Sequence, residues 1–457
     1  MTSHPALFGT NGVRGIVNEF LTPELALRLG KAIGTFFDGG KVLVGGDPRL
    51  STPMIKSAVV AGLGSVGCRV HDGGTAPTPA LQFTLHQGGY DGGAIITASH
   101  NPPEWNGIKA VDADGTELSR EQEERIEGFY YEQRFRAARW EDMTPAIPEP
   151  GVNERYIEAV LRAVDRAAIA QRSFKVVVDC SNGASCYTAP FLLRRLGCKV
   201  VALNAQPDGA FPGHESEPTP ENARQLVAAV GALQADLGCI QDGDADRAVF
   251  VDEGARYVDG NLALALLGGE AVKRKPGGLV VTPVSTSMAV EDVVKAAGGR
   301  VQYTRVGSPT VAHTMKDTGA VFGGEENGGL IFPDHQHVRD GLRSIAAILE
   351  LMAKTGKPLS SLLATVPRYA TIKAKVHCPD AAKQEVLARF AKGQHGRVDT
   401  TDGVKVFSDA GWVLVRPSGT ELLMRVFAES KSEEAAKRLA DESKRQIEAL
   451  VREVGHK

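Results

Sequence analysis

Asp242, Asp244 and Asp246 stand at alternate positions in Gln241-Asp242-Gly243-Asp244-Ala245-Asp246-Arg247, between the apolar runs Leu237–Ile240 and Ala248–Val251. Three carboxylates with only glycine and alanine between them converge only if the loop bends around positive charge, because uncompensated they raise one another's pKa. A hard divalent cation with oxygen ligands resolves that conflict, and Mg²⁺ usually keeps positions open for a phosphate oxygen or water. The plainer alternative is a solvated acidic turn whose carboxylates stay apart in water. The two flanking strands favour the metal. Arg247 is suited to hold a phosphate oxygen bidentately.

Four further segments carry groups of matching chemistry. In Ile95-Ile96-Thr97-Ala98-Ser99-His100-Asn101-Pro102-Pro103, a buried strand runs into small polar residues and stops at paired prolines. Such a strand exit is where α/β folds present reactive groups. Ser99 is a weak nucleophile unless a base or metal helps it, and His100 is adjacent; read alone, the segment is equally a polar turn. In Gly323-Gly324-Glu325-Glu326-Asn327-Gly328-Gly329, glycines such as Gly328 let backbone approach a ligand, while Glu325 and Asn327 suit sugar hydroxyls. Val415-Arg416-Pro417-Ser418-Gly419-Thr420-Glu421 places an arginine, two hydroxyls and a glycine amide together as a phosphate cradle, with Arg425 one step beyond. Its plainer reading is an arginine-capped turn. Phe8-Gly9-Thr10-Asn11-Gly12-Val13-Arg14-Gly15 reads as a compact turn that aims Arg14 into a cleft.

The elements that must position these groups alternate as strand, loop and helix. Thr22-Pro23-Glu24 offers a cap, a first-turn proline and an acid ahead of Leu25, Leu29, Ile33 and Phe36 at helical spacing, and Thr219-Pro220-Glu221 repeats that start. Short apolar runs at Val42–Val44, Ala94–Ile96, Val176–Val178, Val249–Val251 and Leu279–Val281 predict buried strands in α/β layers. A chain of 457 residues calls for three or four domains. Boundaries are expected in the proline-rich Thr144–Asn153, at a hairpin within Asp252–Asn261, and between Gly356 and Arg368. The units implied are 1–150, 151–252, 253–366 and a smaller 367–457 that ends in a charged helix from about Ser432 to Arg452. No strict repeat is visible, although the first three units share a strand-and-loop pattern.

Composition excludes other classes. A net charge of −3 with both signs interspersed lacks the basic footprint of a nucleic-acid binder. No apolar run approaches the ~18 residues of a membrane span, and no signal-peptide pattern opens the chain. Six cysteines without a C-x-x-C pair read as buried small hydrophobes in a reducing compartment, so a cytoplasmic protein is expected.

In this order and at these separations, the five segments resemble the α-D-phosphohexomutase family, from Phe8 to Arg425. The resemblance implies an α/β protein with four domains around a central cleft: three α/β layered domains with mixed sheets and a smaller C-terminal α+β domain, each giving one loop. It assigns Ser99 as a phosphoserine, and Asp242, Asp244 and Asp246 as ligands of one Mg²⁺ beside a phosphoserine oxygen. Glu325 and Asn327 would read the sugar, and Arg416, Ser418, Gly419 and Thr420 would hold the non-reacting phosphate. Lys109, in Asn106-Gly107-Ile108-Lys109, matches an acid/base candidate, and His100 and Arg247 match further active-site positions. Two departures stand out: many bacterial relatives carry a histidine where Gly329 stands, and the proline that commonly follows the phosphate motif is Leu422 here. The Gly324–Gly329 loop and the Gly9–Gly15 opening look most like the archaeal-type branch. The activity implied is interconversion of hexose 6- and 1-phosphates through a 1,6-bisphosphate, which also serves as activator. Glucosamine phosphate is placed first, with mannose or glucose phosphates and, more remotely, a metal-dependent sugar phosphatase as alternatives. Expected partners are hexose phosphates, with neither nucleic acid nor membrane, and any assembly is expected to be a homodimer. A last domain hinged after Gly356 would close over the ligand.

Overall fold

The computed structural model describes residues 6–394, 396–418 and 422–455. Its described strands form four sheets. The first has β1 (Val13–Ile16), β2 (Lys41–Gly46), β3 (Arg69–Thr75), β4 (Gly92–Ile96), β5 (Trp105–Asp112) and β6 (Ile147–Pro148), ordered β1-β5-β4-β2-β3-β6. The second has β7 (Lys175–Asp179), β8 (Lys199–Leu203), β9 (Leu237–Gln241), β10 (Ala248–Val251) and β11 (Tyr257–Val258), ordered β11-β10-β9-β7-β8. The third has β12 (Leu279–Pro283), β13 (Arg300–Thr304), β14 (Phe322–Gly324), β15 (Leu330–Phe332) and β16 (Gln336–Arg339), ordered β13-β12-β14-β15-β16. The fourth is antiparallel, from β17 (Ala370–His377), β18 (Val398–Asp399), β19 (Val404–Ser408), β20 (Gly411–Pro417) and β21 (Leu423–Ser430), ordered β17-β21-β20-β19-β18.

The first three sheets share one plan that the sequence only hinted at. In each, three parallel strands (β3-β2-β4, β8-β7-β9, β13-β12-β14) are followed by an antiparallel neighbour to the third (β5, β10, β15). Four of the short apolar runs are the inner parallel strands β2, β4, β7 and β12, buried as such sheets require, and the fifth is the antiparallel β10. The return to an antiparallel strand makes a tight connection, and it is there that each sheet presents its polar loop: residues 97–104, 242–247 and 325–329. The fourth sheet offers the corresponding β20–β21 connection.

Helix starts follow the sequence in part. Thr22 caps the helix Pro23–Phe36, its hydroxyl accepting from Leu25 N at 3.3 Å. The second Thr-Pro-Glu does not start a helix. Thr219 accepts from Asn222 N in a separate turn, and the helix begins at Arg224. The proline-rich Thr144–Asn153 segment adds β6 at the sheet edge, where Pro148 needs no ladder donor. All six cysteines are free and buried. No helix among the described residues is long and apolar enough to cross a membrane.

One continuous core joins the first three units. It runs from Leu43 and Leu81 through Tyr156, Val176 and Leu192 to Leu264, Ile345 and Leu349. The fourth unit has its own core around Val386, Val415 and Val426, and meets the third at a small patch of Val284, Trp412 and Leu414. The chain does not leave the common core directly after Gly356, the expected hinge point. Leu359, Leu362, Leu363 and Val366 are buried in the common core and Tyr369 packs against it, so the chain leaves it only after Tyr369.

Candidate active site

Ser99 sits at the exit of β4 with φ +53°, a left-handed conformation that costs a non-glycine residue roughly 1–2 kcal/mol. The loop is braced from beneath. Arg49 is buried and donates to four carbonyls, those of Ser99 (2.8 Å), Asn101 (2.7 Å), Pro102 (2.6 Å) and Trp105 (2.9 Å). Its Nε pairs with buried Asp47 at 3.1 Å. Asp47 also accepts from the hydroxyl of Thr97 at 2.6 Å, and Thr97 in turn accepts from Ser99 N at 2.8 Å. Arg14, half-buried on β1, donates to Ala98 O and Asn101 Oδ1, both at 3.3 Å. Desolvation pulls its pKa down to about 10, so it stays charged at neutral pH.

So held, the Ser99 hydroxyl donates to Asp242 Oδ2 at 2.8 Å, across from the first sheet to the second. The approach is so close that a Cβ on Gly243 would lie 2.6 Å from Ser99 O. His100 Nδ1 is 3.4 Å from the same hydroxyl. Arg247 above all, with burial and Arg14, holds the imidazole down to about 2, leaving it neutral.

The three aspartates are buried and offer oxygens within 4.8 Å of one another. Each has one oxygen fixed by protein. Asp242 Oδ1 accepts from Arg247 N at 3.2 Å. Asp244 Oδ2 accepts from Thr78 Oγ1 at 2.7 Å and Lys109 Nζ at 2.9 Å. Asp246 Oδ2 accepts from Arg339 Nη2 at 2.5 Å and, more distantly, from Lys109 at 3.4 Å. Asp244 Oδ1 and Asp246 Oδ1 are buried without hydrogen-bond partners, and Asp242 Oδ2 faces Ser99. Burial and its two acidic neighbours push Asp242 upward; Asp244, although buried, is held well below the usual carboxylate range by Lys109 and Thr78. Orphaned inner oxygens on anchored carboxylates are what a hard divalent cation requires, so the residues present fit Mg²⁺.

Lys109 arrives from β5, paired opposite Ile95 of β4, which explains how a residue ten positions beyond Ser99 reaches the same acids. The Glu325–Gly329 turn joins β14 to β15 and lies against the metal loop, where Ala248 N donates to Gly328 O at 3.1 Å. Glu325 is buried and accepts from Gly307 N at 3.3 Å and Arg339 Nη1 at 3.1 Å. Asn327 Oδ1 accepts from Gly329 N at 3.1 Å.

The cradle stands further off. Arg416 and Pro417 belong to β20 rather than to the loop, and Arg416 pairs across the ladder with Arg425 of β21. Arg416 Nη2 binds Asp402 Oδ2 at 3.0 Å, and the same oxygen accepts from Val306 N at 3.0 Å, so this contact ties the fourth unit to the third. Arg416 and Asp402 line a pocket of about 300 Å³ with Gly9, Thr10, Arg120 and Arg305. Ser418 O accepts from Lys383 at 2.7 Å. Gly419 and Thr420 lie outside the described residues.

Sequence reasoning missed Asp47, Arg49, Thr78 and Arg339. Each had a signal: Asp47-Pro48-Arg49 follows a buried strand, Thr78-Pro79 opens a helix, and Arg339-Asp340-Gly341 ends a strand before one.

Comparison with known proteins identifies the family. Profiles of the phosphoglucomutase/phosphomannomutase family match unit by unit: alpha/beta/alpha domain I over residues 5–137, domain II over 154–255, domain III over 259–369 and the C-terminal domain over 374–446. A phosphoglucomutase/phosphomannomutase of Thermococcus kodakarensis is 47% identical, the match covering 94% of this chain and 96% of that one. A phosphoglucosamine/phosphogalactosamine mutase of Sulfurisphaera tokodaii is 42% identical, covering 97% and 99%. The crystal structure of a phosphoglucomutase/phosphomannomutase family protein from Burkholderia thailandensis superposes with a TM-score of 0.87 at 29% identity, covering 97% of both chains. The chain therefore belongs to the α-D-phosphohexomutase family and is a phosphohexomutase.

Proposed function

We propose that the chain interconverts hexose 6-phosphate and hexose 1-phosphate through a phosphate carried on Ser99, with glucosamine phosphate as the first-choice substrate. The observation that carries this reading is the 2.8 Å contact of the Ser99 hydroxyl with Asp242, beside two buried carboxylate oxygens that lack hydrogen-bond partners. The high identity to relatives named for glucosamine, galactosamine, glucose and mannose phosphates supports the class of sugar.

Asp242, Asp244 and Asp246 would hold one Mg²⁺, which when bound supplies neutralisation of charge on a transferring phosphoryl group. The chain's own groups do the rest. Arg49 and Asp47 keep Ser99 in its left-handed setting, so its oxygen is aimed before substrate arrives. Lys109 Nζ, shared between Asp244 and Asp246, is the group best placed to give or take the proton of the sugar hydroxyl that exchanges with Ser99. Arg247 and Arg14 add fixed positive charge around the equatorial phosphate oxygens. Neutral His100 orients the serine oxygen without contributing charge. Glu325 and Asn327 would take sugar hydroxyls, while Arg416, Ser418, Gly419 and Thr420 would grip the phosphate that is not reacting, with Arg425 alongside. The 1,6-bisphosphate then turns end over end, so the cradle must accept either phosphate. The fourth unit meets the third through a small apolar patch and polar contacts, among them those of Asp402, Lys405 with Val284 O and Glu429 with Met288 N, and a swing of this unit that breaks and remakes them would exclude water.

The test is Ser99→Ala. Turnover is expected to vanish while hexose phosphate still binds; retained turnover rejects Ser99 as carrier. A panel of glucosamine, N-acetylglucosamine, glucose and mannose 6-phosphates compared by kcat/KM is expected to rank glucosamine 6-phosphate first.

A further inference from the structure

Arg339 ends β16, and its side chain is buried between two loops that belong to different sheets. Nη2 donates to Asp246 Oδ2 of the metal loop at 2.5 Å, and Nη1 donates to Glu325 Oε2 of the sugar loop at 3.1 Å. The chain leaves a path for this reach. A Cβ on Gly329 would lie 2.3 Å from Arg339 Cδ and 3.1 Å from Cγ, so the arginine stem crosses the sugar loop over a residue that must lack a side chain. The two loops also touch through backbone, Ala248 N donating to Gly328 O at 3.1 Å.

The effect on Asp246 is directional. Arg339 takes the outer oxygen, with Lys109 a more distant second cation at 3.4 Å, and leaves Oδ1 buried without a hydrogen-bond partner. A guanidinium is a rigid planar fork, so fixing one amino group on Glu325 fixes where the other presents itself to Asp246. Lys109, on a flexible stem and already bonded to Asp244, cannot supply that constraint.

We propose that Arg339 is a positioning residue that locks the metal loop to the sugar loop, holding Asp246 in the orientation a divalent ion needs and Glu325 in the orientation the hexose needs. The inference rests on the mutase reading and deepens it. Neither carboxylate can turn without breaking its half of the fork, so affinity for the ion depends on an arginine that is not a ligand. It also depends on a glutamate in another unit.

The experiment titrates Mn²⁺ into dephosphorylated protein by electron paramagnetic resonance, and measures kcat and KM for glucosamine 6-phosphate at saturating Mn²⁺. The proteins are wild type, R339M, R339K, E325Q and R339M/E325Q. R339M is expected to weaken Mn²⁺ binding by about 10- to 100-fold, as for groups that orient metal ligands, and to raise KM as well. R339K, which keeps the charge but spans one carboxylate at a time, should fall between R339M and wild type in both. E325Q should shift Mn²⁺ affinity in wild type and leave it unshifted in R339M, a non-additivity that a merely structural arginine would not produce. The inference is overturned if folded R339M keeps Mn²⁺ affinity and KM at wild-type values, if KM alone is unmoved, or if the double-mutant effects add. Should R339M fail to fold, R339K is held to the same criteria. Wild type that binds Mn²⁺ yet shows no mutase turnover sinks the mutase reading instead, and the lock is then judged on Mn²⁺ affinity and additivity alone.

Discussion

Arg49 offers a sharp test of how Ser99 is held, because both of its amino groups donate only to carbonyls of residues 99–105. Arg49→Met removes the partner of buried Asp47 and the donors to the carbonyls of Ser99, Asn101, Pro102 and Trp105. Breaking a buried pair by removing one partner costs about 3–5 kcal/mol, and each orphaned carbonyl adds to the strain of a residue already at φ +53°. Because domain stabilities run to about 5–15 kcal/mol, the unit should stay folded while residues 97–105 loosen. At 1.36 kcal/mol per decade, a loss of about 3 kcal/mol lowers the population of the competent loop by up to about 100-fold. It should appear in kcat, with KM for hexose phosphate changing only a few-fold. Arg49→Lys should do nearly as badly, since an ammonium has three donors for the five acceptors Arg49 now serves. The assay is hydrogen exchange of the 97–105 segment beside steady-state kinetics. Unchanged exchange together with wild-type kcat would refute the reasoning.

Three further outcomes follow from the same geometry. Arg416→Ala should raise KM by about 10- to 100-fold, the value of a charged hydrogen bond of about 1.5–3 kcal/mol, with a smaller effect on kcat; steady-state kinetics decide it. Stripping divalent ions should abolish turnover, with Mg²⁺ or Mn²⁺ restoring it and raising the thermal midpoint of wild type but not of Asp244→Asn. Burial pushes the Glu123 carboxyl up from an ordinary 4.5 to about 7, Arg120 relieving it only in part. The folded chain thus holds a proton that the unfolded chain gives up. That contribution is complete below pH 4.5 and lost as pH rises through 7, amounting to up to about 3 kcal/mol. Glu123→Gln should erase this slope in melting curves and leave the protein more stable than wild type at pH 8.

What could be read from residues alone divides by the kind of constraint. The acidic loop was legible because three aspartates two apart conflict electrostatically unless something positive lies between them, and Asp244 Oδ1 and Asp246 Oδ1 do lack hydrogen-bond partners. The buried strands were legible as apolar runs, and α-helical spacing gave the helix after Thr22. Lys109 needed the antiparallel return of β5 beside β4, a long-range pairing that no local pattern announces. Arg49 and Arg339 were harder still: a single arginine in a sequence looks like surface, and its value lies in acceptors up to 93 positions away. The second Thr-Pro-Glu misled because capping residues also close turns, as Thr219 does. The hinge misled because Gly356 does end a helix in the left-handed conformation, yet the next apolar residues return to the core.

The central claim is that phosphate travels by way of Ser99, and intact-mass spectrometry addresses it directly. Protein charged with a hexose 1,6-bisphosphate and freed of excess ligand should carry one phosphate, mapped to Ser99. Adding unlabelled hexose 6-phosphate with Mg²⁺ should discharge it and yield sugar bisphosphate in equal amount. A mass that never changes, a phosphate mapped to another residue, or release as inorganic phosphate alone would contradict the account.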